Sequence, residues 1–250
     1  MSQGVTGAFL NALGILFGGL LGLVLRRPLS VRLQLFFRSL LGISTIFFGL
    51  RLVWLSVNGT FLSGSKQILI ALLAVMVGNL LGRLFGLQKM SNRLGRYAGN
   101  ILTARSSDAR PKMRDGFNTC AVLFCAAPLG LIGAVADGFS NYFYLLAVKA
   151  VMDGLATLGS VKTLGWPVAL SAFPVFLFLG SITLMCRFYA VPFLTSYRPG
   201  GEDLVNSVNI VAGLVSCAVV LVIFQVRKVE LANYLPGLAV APGLAWLFSH

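Results

Sequence analysis

Lys149 and Asp153 are the residues of this sequence whose types and spacing most directly allow chemistry. They stand four apart inside an otherwise apolar run, YLLAVKAVMDGLATL. Residues four apart share a helix face, so an ammonium and a carboxylate would meet there. Thr157 and Ser160 continue that face, within about 80° at ~100° per residue. A charge at bilayer depth costs at least about 2.5–3.5 kcal/mol, so such groups persist where they pair or face water. Two readings follow. One is a structural Lys149–Asp153 ion pair that locks the fold. The other is an ion or proton site in a polar cavity, with Asp153 as carrier and Lys149 as its charge partner. Lys149 opposes cation binding at Asp153 unless it turns away or loses its proton, a coupling that a proton-linked carrier can exploit.

Other polar groups extend this candidate site. Asn11 lies on the glycine face of the first apolar run and would line a path. Ser181 and Thr183, in Gly180-Ser181-Ile182-Thr183, would be hydroxyl ligands near a helix that Pro174 is expected to break. Pro128 frees the carbonyl of Phe124 in the same way, beside Asn118, Thr119 and Cys125. Broken helices expose carbonyls that can ligate ions. Asp137 is the second residue of ADGFSNY, which reads as a turn. That places it at the interface, either capping the following helix or standing at a vestibule. Asn79 and Asn209 are lone amides, read as contacts between helices. The four cysteines, Cys120, Cys125, Cys186 and Cys217, make no CxxC pair and read as small buried hydrophobes rather than a zinc or disulfide framework. No metal ligand set is assigned. No Walker loop, HExxH or Ser/His/Asp set is present, and the one histidine, His250, is terminal. The expectation is therefore a protein that is not an enzyme and has no cofactor.

Composition identifies the elements that must position these groups. The 250 residues are 57% hydrophobic and 11% charged, against about 25% charged in soluble domains. Too little charge remains to cover a soluble globule. Apolar runs long enough to cross a bilayer recur along the chain, and period-two alternation is absent, which excludes a barrel. The expected fold is all-α: a polytopic transmembrane bundle forming one integral membrane domain over 1–250. Eight segments are expected at 7–25, 37–56, 67–86, 116–136, 142–158, 166–186, 205–225 and 231–248. The fifth and eighth are short enough to be tilted or re-entrant. The first apolar run lacks a basic n-region and a cleavage site, and reads as a retained helix.

The net charge of +13 gathers at the ends of the apolar runs. It reads as topogenic charge and attraction to membrane lipids, not as a nucleic-acid surface. Three basic joints fall on one side of an eight-segment chain: Arg26, Arg27, Arg32 and Arg38; Lys89, Arg93, Arg96, Arg105, Arg110, Lys112 and Arg114; and Arg227 with Lys228. The positive-inside rule makes that side cytoplasmic and puts both termini outside. Arg198, on the outer side, is balanced by Glu202 and Asp203. The basic loop 87–115 contains SNRLGRYAGN, which suits an amphipathic surface helix with Leu94 and Tyr97 toward lipid.

Glycines are patterned. Gly14, Gly18 and Gly22 share a face with Asn11, and Gly78, Gly82 and Gly86 make successive GxxxG steps. Small residues at this spacing let helices close in, and offer faces for homo-oligomer contacts. A weak internal symmetry lays 19–30 over 183–194, matching Pro28 to Pro192, with Gly42 and Gly213 in the helices that follow. It suggests inverted three-helix repeats, 7–86 and 166–248, flanking a central pair.

The set Phe124-Cys125, Gly133, Asp137-Gly138, Lys149, Asp153-Gly154, Thr163-Leu164-Gly165, Ser171, Pro174 and Gly180-Ser181-Ile182-Thr183, with the opening Asn11…Gly14…Gly18-Gly19…Gly22, resembles the YqgA-like proteins, catalogued as domain of unknown function 554. The resemblance spans nearly the whole chain and implies a multi-spanning protein of the bacterial inner membrane. It supplies no reaction. Two departures stand out: Arg83 follows Gly82 where relatives commonly have Glu, and Leu179 precedes the GSIT run where they often have Gln. The intramembrane Lys149/Asp153 stripe, the expected proline-broken helices and the suggested inverted repeats lead to a transporter or channel for a small ion or solute. The second reading is a non-transporting membrane scaffold or assembly subunit.

Overall fold

The computed structural model describes residues 4–25, 29–103, 113–196, 201–227 and 229–248. Arg26, Arg27, Pro28, Arg105, Arg110, Lys112, Arg198, Lys228 and His250, named above for topology or symmetry, lie outside the described residues. The described chain is helical throughout, with no strand among its residues: α1 (Thr6–Val24), α2 (Val31–Ser56), α3 (Phe61–Leu84), α4 (Leu87–Thr103), α5 (Met113–Ala126), α6 (Pro128–Ser140), α7 (Tyr144–Leu164), α8 (Ala172–Met185), α9 (Val191–Ser196), α10 (Gly201–Ile223) and α11 (Pro236–Phe248).

Each expected segment has a counterpart. Seven stretches are long and apolar enough to cross a membrane: α1, α2, α3, α7, Trp166–Ser196, α10 and Leu231–Phe248. The eighth is the pair Gly116–Ala126 and Pro128–Ser140, bent by 58°. The bend falls where Pro128 takes the first helical position of α6, after Ala127 in extended conformation. There its missing N–H and fixed φ suit a helix start. Pro174 behaves differently from expectation. It sits in the first turn of α8 and breaks nothing. The irregular stretches of that segment are a 3₁₀ turn before it (Trp166–Ser171) and a π-helical stretch after it (Cys186–Ala190).

The fifth segment is not short. α7 has 21 residues, about 31 Å at ~1.5 Å per residue, enough to cross the hydrocarbon layer. Hydropathy alone ended it early because Ser160, Lys162 and Thr163 are polar, yet all three continue the helix. The sixth runs on past 186 to Ser196; Arg187, which ended the apolar run, is helical. α4 is amphipathic, and Leu94 and Tyr97 are exposed on it as expected.

Two apolar cores share α6 and α7. One joins α2, α3, α10 and α11 through Leu52, Ala74, Val211 and Ala241, with Ile132 and Leu145. The other joins α1, α5 and α8 through Ile15, Phe124 and Val175, with Ala134 and Leu146. Large apolar side chains such as Phe17, Trp54, Leu80 and Phe173 point outward, the pattern of a bundle surrounded by lipid.

Glycines set the closest helix pairs. A methyl added at Gly18 would lie 2.0 Å from the carbonyl oxygen of Gly154, and one at Gly14 2.3 Å from that of Ala150. α1 and α7 therefore touch backbone to backbone. Gly78 meets Gly237, Gly82 meets Asn233, and Gly49 and Gly213 each approach the other's carbonyl. Both glycine faces expected to serve a second copy are thus covered within the chain. Gly86 does not extend its face: it ends α3 at φ +64°, a left-handed turn that glycine takes without strain. Gly42 packs on the Phe224 ring rather than opposite Gly213.

Gly18→Ala is expected to lower the thermal midpoint in detergent, because overpacking costs about 1–3 kcal/mol. Gly159→Ala is the control, since nothing lies within 4 Å of the added methyl. Equal midpoints for the two variants would refute this account of the α1–α7 contact.

Candidate functional site

α7 delivers two charged side chains to one face, and the surrounding helices close over them. Lys149 is 1% exposed and Asp153 6%. Among the described residues, Lys149 is the largest fully buried side chain. Its Nζ donates to Asp153 Oδ2, closing an i,i+4 ion pair. Asn11 Nδ2, from α1, donates to the same oxygen at 3.1 Å. The ammonium also stands 5.9 Å from the centre of the Phe124 ring, within cation–π range.

The fit depends on residues without side chains. Gly154, next to Asp153, admits the backbone of α1, and this brings Asn11 within reach of the carboxylate. Gly130, in the first turn of α6, gives room to the lysine stem: a methyl there would fall 2.6 Å from Lys149 Cε. The same point lies 3.3 Å from Leu179 Cδ2. Leu179, where the family resemblance implies glutamine, therefore seals the space beside the ammonium with a leucine. The bend between α5 and α6 is at this level too, with Phe124 before it and Gly130 after it.

Thr157 is buried on the same face. Its Oγ1 donates to the Asp153 carbonyl at 2.7 Å, so the hydroxyl serves the helix and not the carboxylate. Thr183 is buried against α6, donating to Ala134 O at 3.2 Å and Leu179 O at 3.1 Å. Ser181 is exposed on the outer side of α8, and its hydroxyl donates back to Phe178 O at 2.8 Å. The structure thus brings Asn11, Lys149, Asp153 and Thr157 together. Thr183 sits at another level, and Ser181 faces outward.

Asp137 does not cap α7. It lies within α6, 1% exposed, and its Oδ2 accepts from the backbone N–H of Gly7 at 3.1 Å. The first turn of α1 has no cap of its own, since Val5 stands at the N-cap position. A carboxylate from another helix supplies the missing acceptor. The turn reading misplaced Asp137 because ADGFS continues the helix. α6 ends at Asn141, which adopts φ 55°, a conformation asparagine tolerates. Arg187 Nη1 donates to Asn141 Oδ1 at 2.5 Å.

Three buried side-chain atoms in this half of the bundle lack a partner: Asn11 Oδ1, Thr119 Oγ1 and Asp137 Oδ1. Asn11 is oriented by its donor bond to the carboxylate, which leaves its oxygen facing away. Buried polar atoms of this kind are places where water or an ion is accommodated. Of the lone amides, Asn209 meets its expected role, accepting from Ser140 Oγ at 3.4 Å between α10 and α6. The residues that sequence reasoning missed are those of the enclosure. Ala150 and Gly154, four apart on α7, carried a legible signal as small residues at helical spacing. Gly130 did not.

Comparison with known proteins places the chain among relatives of the same length. The family model described as "Protein of unknown function (DUF554)" matches residues 6–246. The "Uncharacterized membrane protein YdfK" of Bacillus subtilis (strain 168) is 22% identical over 236 residues, covering 94% of this chain and 93% of that one. The "Uncharacterized protein YqgA" of Escherichia coli (strain K12) is 27% identical over 245 residues, 97% of each. No solved structure matches.

Asp137→Ala is expected to loosen the start of α1 by about 0.5–2 kcal/mol, the range for loss of a helix cap. Amide hydrogen exchange of residues 6–9 would report it, with Asp137→Asn, which keeps an acceptor, restoring much of the protection. Unchanged exchange in the alanine variant would rule out the cap.

Proposed function

The chain belongs to the DUF554 family of proteins of unknown function, and on that premise we propose that it is a transporter or channel for a small ion or solute. The chain is a multi-pass membrane protein. Our reading adds residence in the bacterial inner membrane with both termini outside, on the strength of the basic joints. No catalytic activity or cofactor is part of it.

The observation that carries this reading is the buried Lys149–Asp153–Asn11 cluster at the bend of a broken span. An intramembrane acid whose cost is met by a single lysine and one amide is a site at which charge can be exchanged. A proton or cation arriving at Asp153 would displace Lys149 Nζ from the oxygen it shares with the Asn11 amide. The break before Pro128 supplies an element able to adjust beside the pair. The inverted-repeat arrangement is part of the proposal. It is supported by reciprocal packing of Gly49 and Gly213 between α2 and α10, and by close packing between α3 and α11, where Gly78 meets the Gly237 backbone and Gly237 that of Ala74.

The test is flux in proteoliposomes, read with an entrapped pH dye under imposed Na⁺ or K⁺ gradients. Asp153→Asn is expected to abolish flux and its pH dependence, whereas Ser181→Ala, at an exposed position, leaves both intact. Wild-type-like flux and pH dependence in Asp153→Asn would sink the carrier role.

A second reading, a non-transporting scaffold, is favoured by one observation: Phe124, Gly130 and the α1 backbone close tightly over the pair. Here Asp153→Asn, which leaves Lys149 buried and unpaired, would cost about 3–5 kcal/mol. The Lys149→Met/Asp153→Leu variant would recover most of that stability. Recovery of stability together with undiminished association with a stoichiometric partner would favour this reading. Recovery of stability with complete loss of flux would favour the first.

A further inference from the structure

A second site lies on the opposite side of α7. A cleft of about 620 Å³ opens between the first turns of α2, the last three turns of α7 and the end of α10. Its volume falls in the range of small-molecule sites, about 300–1,000 Å³. Its wall is apolar, built from Phe37, Leu41, Met152 and Leu155, and Arg38 and Lys162 also line it. No carboxylate is among the lining residues.

The two cations are presented differently. Lys162 is exposed in the last turn of α7. Arg38 is anchored: its Nε donates to the carbonyl of Ile223, the last residue of α10. That bond orients the guanidinium and satisfies an open carbonyl of the helix end. Arg38 Nη2 is buried and has no partner among the described residues. A guanidinium held by its Nε on the wall of the cleft keeps further N–H groups for a phosphate oxygen.

The cleft is open sideways. Ala156 and Gly159 are exposed on its α7 side, and a methyl added at Gly159 meets nothing within 4 Å. A ligand with one anionic end and a long apolar body fits such a shape, entering from the bilayer.

We propose that this cleft binds an anionic phospholipid, with its phosphodiester between Arg38 and Lys162 and its acyl chains along the wall formed by α2 and α7. Basic pockets between transmembrane helices at one end of a bundle recognise lipid phosphates in this way. A second copy of the chain is a poorer occupant. Related by a two-fold axis, it would bring the same two cations against themselves. The site is independent of the Lys149–Asp153 cluster and of the transport reading.

The test uses the purified full-length protein in detergent and native mass spectrometry, with phosphatidylglycerol and phosphatidylcholine of matched chains as probes. One phosphatidylglycerol per chain is expected to be retained about tenfold more than phosphatidylcholine. Lys162→Gln, at an exposed position, should weaken retention about fivefold, of the order expected for one basic residue near an anionic lipid. Ala156→Trp fills the cleft from its open side, keeps both cations and should abolish retention. Neither change touches the buried core, and an unchanged thermal midpoint confirms an intact fold. Three outcomes would overturn the proposal. The first is equal retention of both lipids. The second is full retention by Ala156→Trp. The third is displacement of the lipid by millimolar inorganic phosphate, which would make this a free-phosphate site. Efficient disulfide cross-linking of Ala156→Cys between copies in native membranes would likewise assign the cleft to a second chain.

Discussion

An ammonium and a carboxylate placed at the depth of a lipid bilayer must neutralise each other, and the geometry that lets them do so governs the helices around α7. Lys149 and Asp153 pair along their own helix, so no partner helix has to supply a charge. What the other helices supply is enclosure. α1 closes over the pair with Gly14 and Gly18 against Ala150 and Gly154, and at that separation the Asn11 amide reaches the carboxylate. A side chain at Gly18 or Gly154 would push α1 outward and take Asn11 with it. Close backbone packing is driven by dispersion, not by the hydrophobic effect, within lipid. Here the same contact also satisfies a charge.

The fold was legible to a large extent because a bilayer leaves few options. Apolar length fixed eight crossings, and each has a counterpart among the described residues. Lys149, Asp153, Thr157 and Asn11 were legible because polar residues stand out in apolar runs and because a period of 3.6 decides which of them share a face. What was not legible depended on contacts between distant segments. Asp137 read as a turn residue, since nothing in ADGFSNY reveals that Gly7, 130 positions away, needs an acceptor. Ser181 and Thr183 looked equivalent in GSIT, yet two positions along a helix turn the side chain by about 200°: one is buried on α6 and the other faces outward. Gly130 gave no signal at all, because its role is to leave room for a lysine on another helix.

The two apolar cores meet on α6. α6 contributes Ile132 to one and Ala134 to the other, so it belongs to both. Its start is bent by 58° from α5, and the backbone there is not locked into continuous helix. The charged pair lies beside that bend, with Lys149 against Gly130 and Phe124. At the other end of α6, Asp137 holds the start of α1. One short helix therefore touches the lysine at its first turn and anchors, near its last, the helix that carries Asn11.

This arrangement bears on how the two readings of the site differ. In a scaffold, a neutral pair of leucine-like side chains would serve α7 as well, because removing two buried charges together costs little. The glycine contacts of α1 on α7 do not involve the charges, since Gly14, Gly18 and Gly154 meet backbone, but the Asn11 amide does, through Asp153 Oδ2. The charges are also linked to α6, through the lysine stem beside Gly130. On the proposed transport reading, a change in the charge state of Asp153 would free Lys149 Nζ from its partner, beside the Phe124 ring and the start of α6. On that reading, the coupling would run from the carboxylate to the bent pair α5–α6, a connection the scaffold reading does not use.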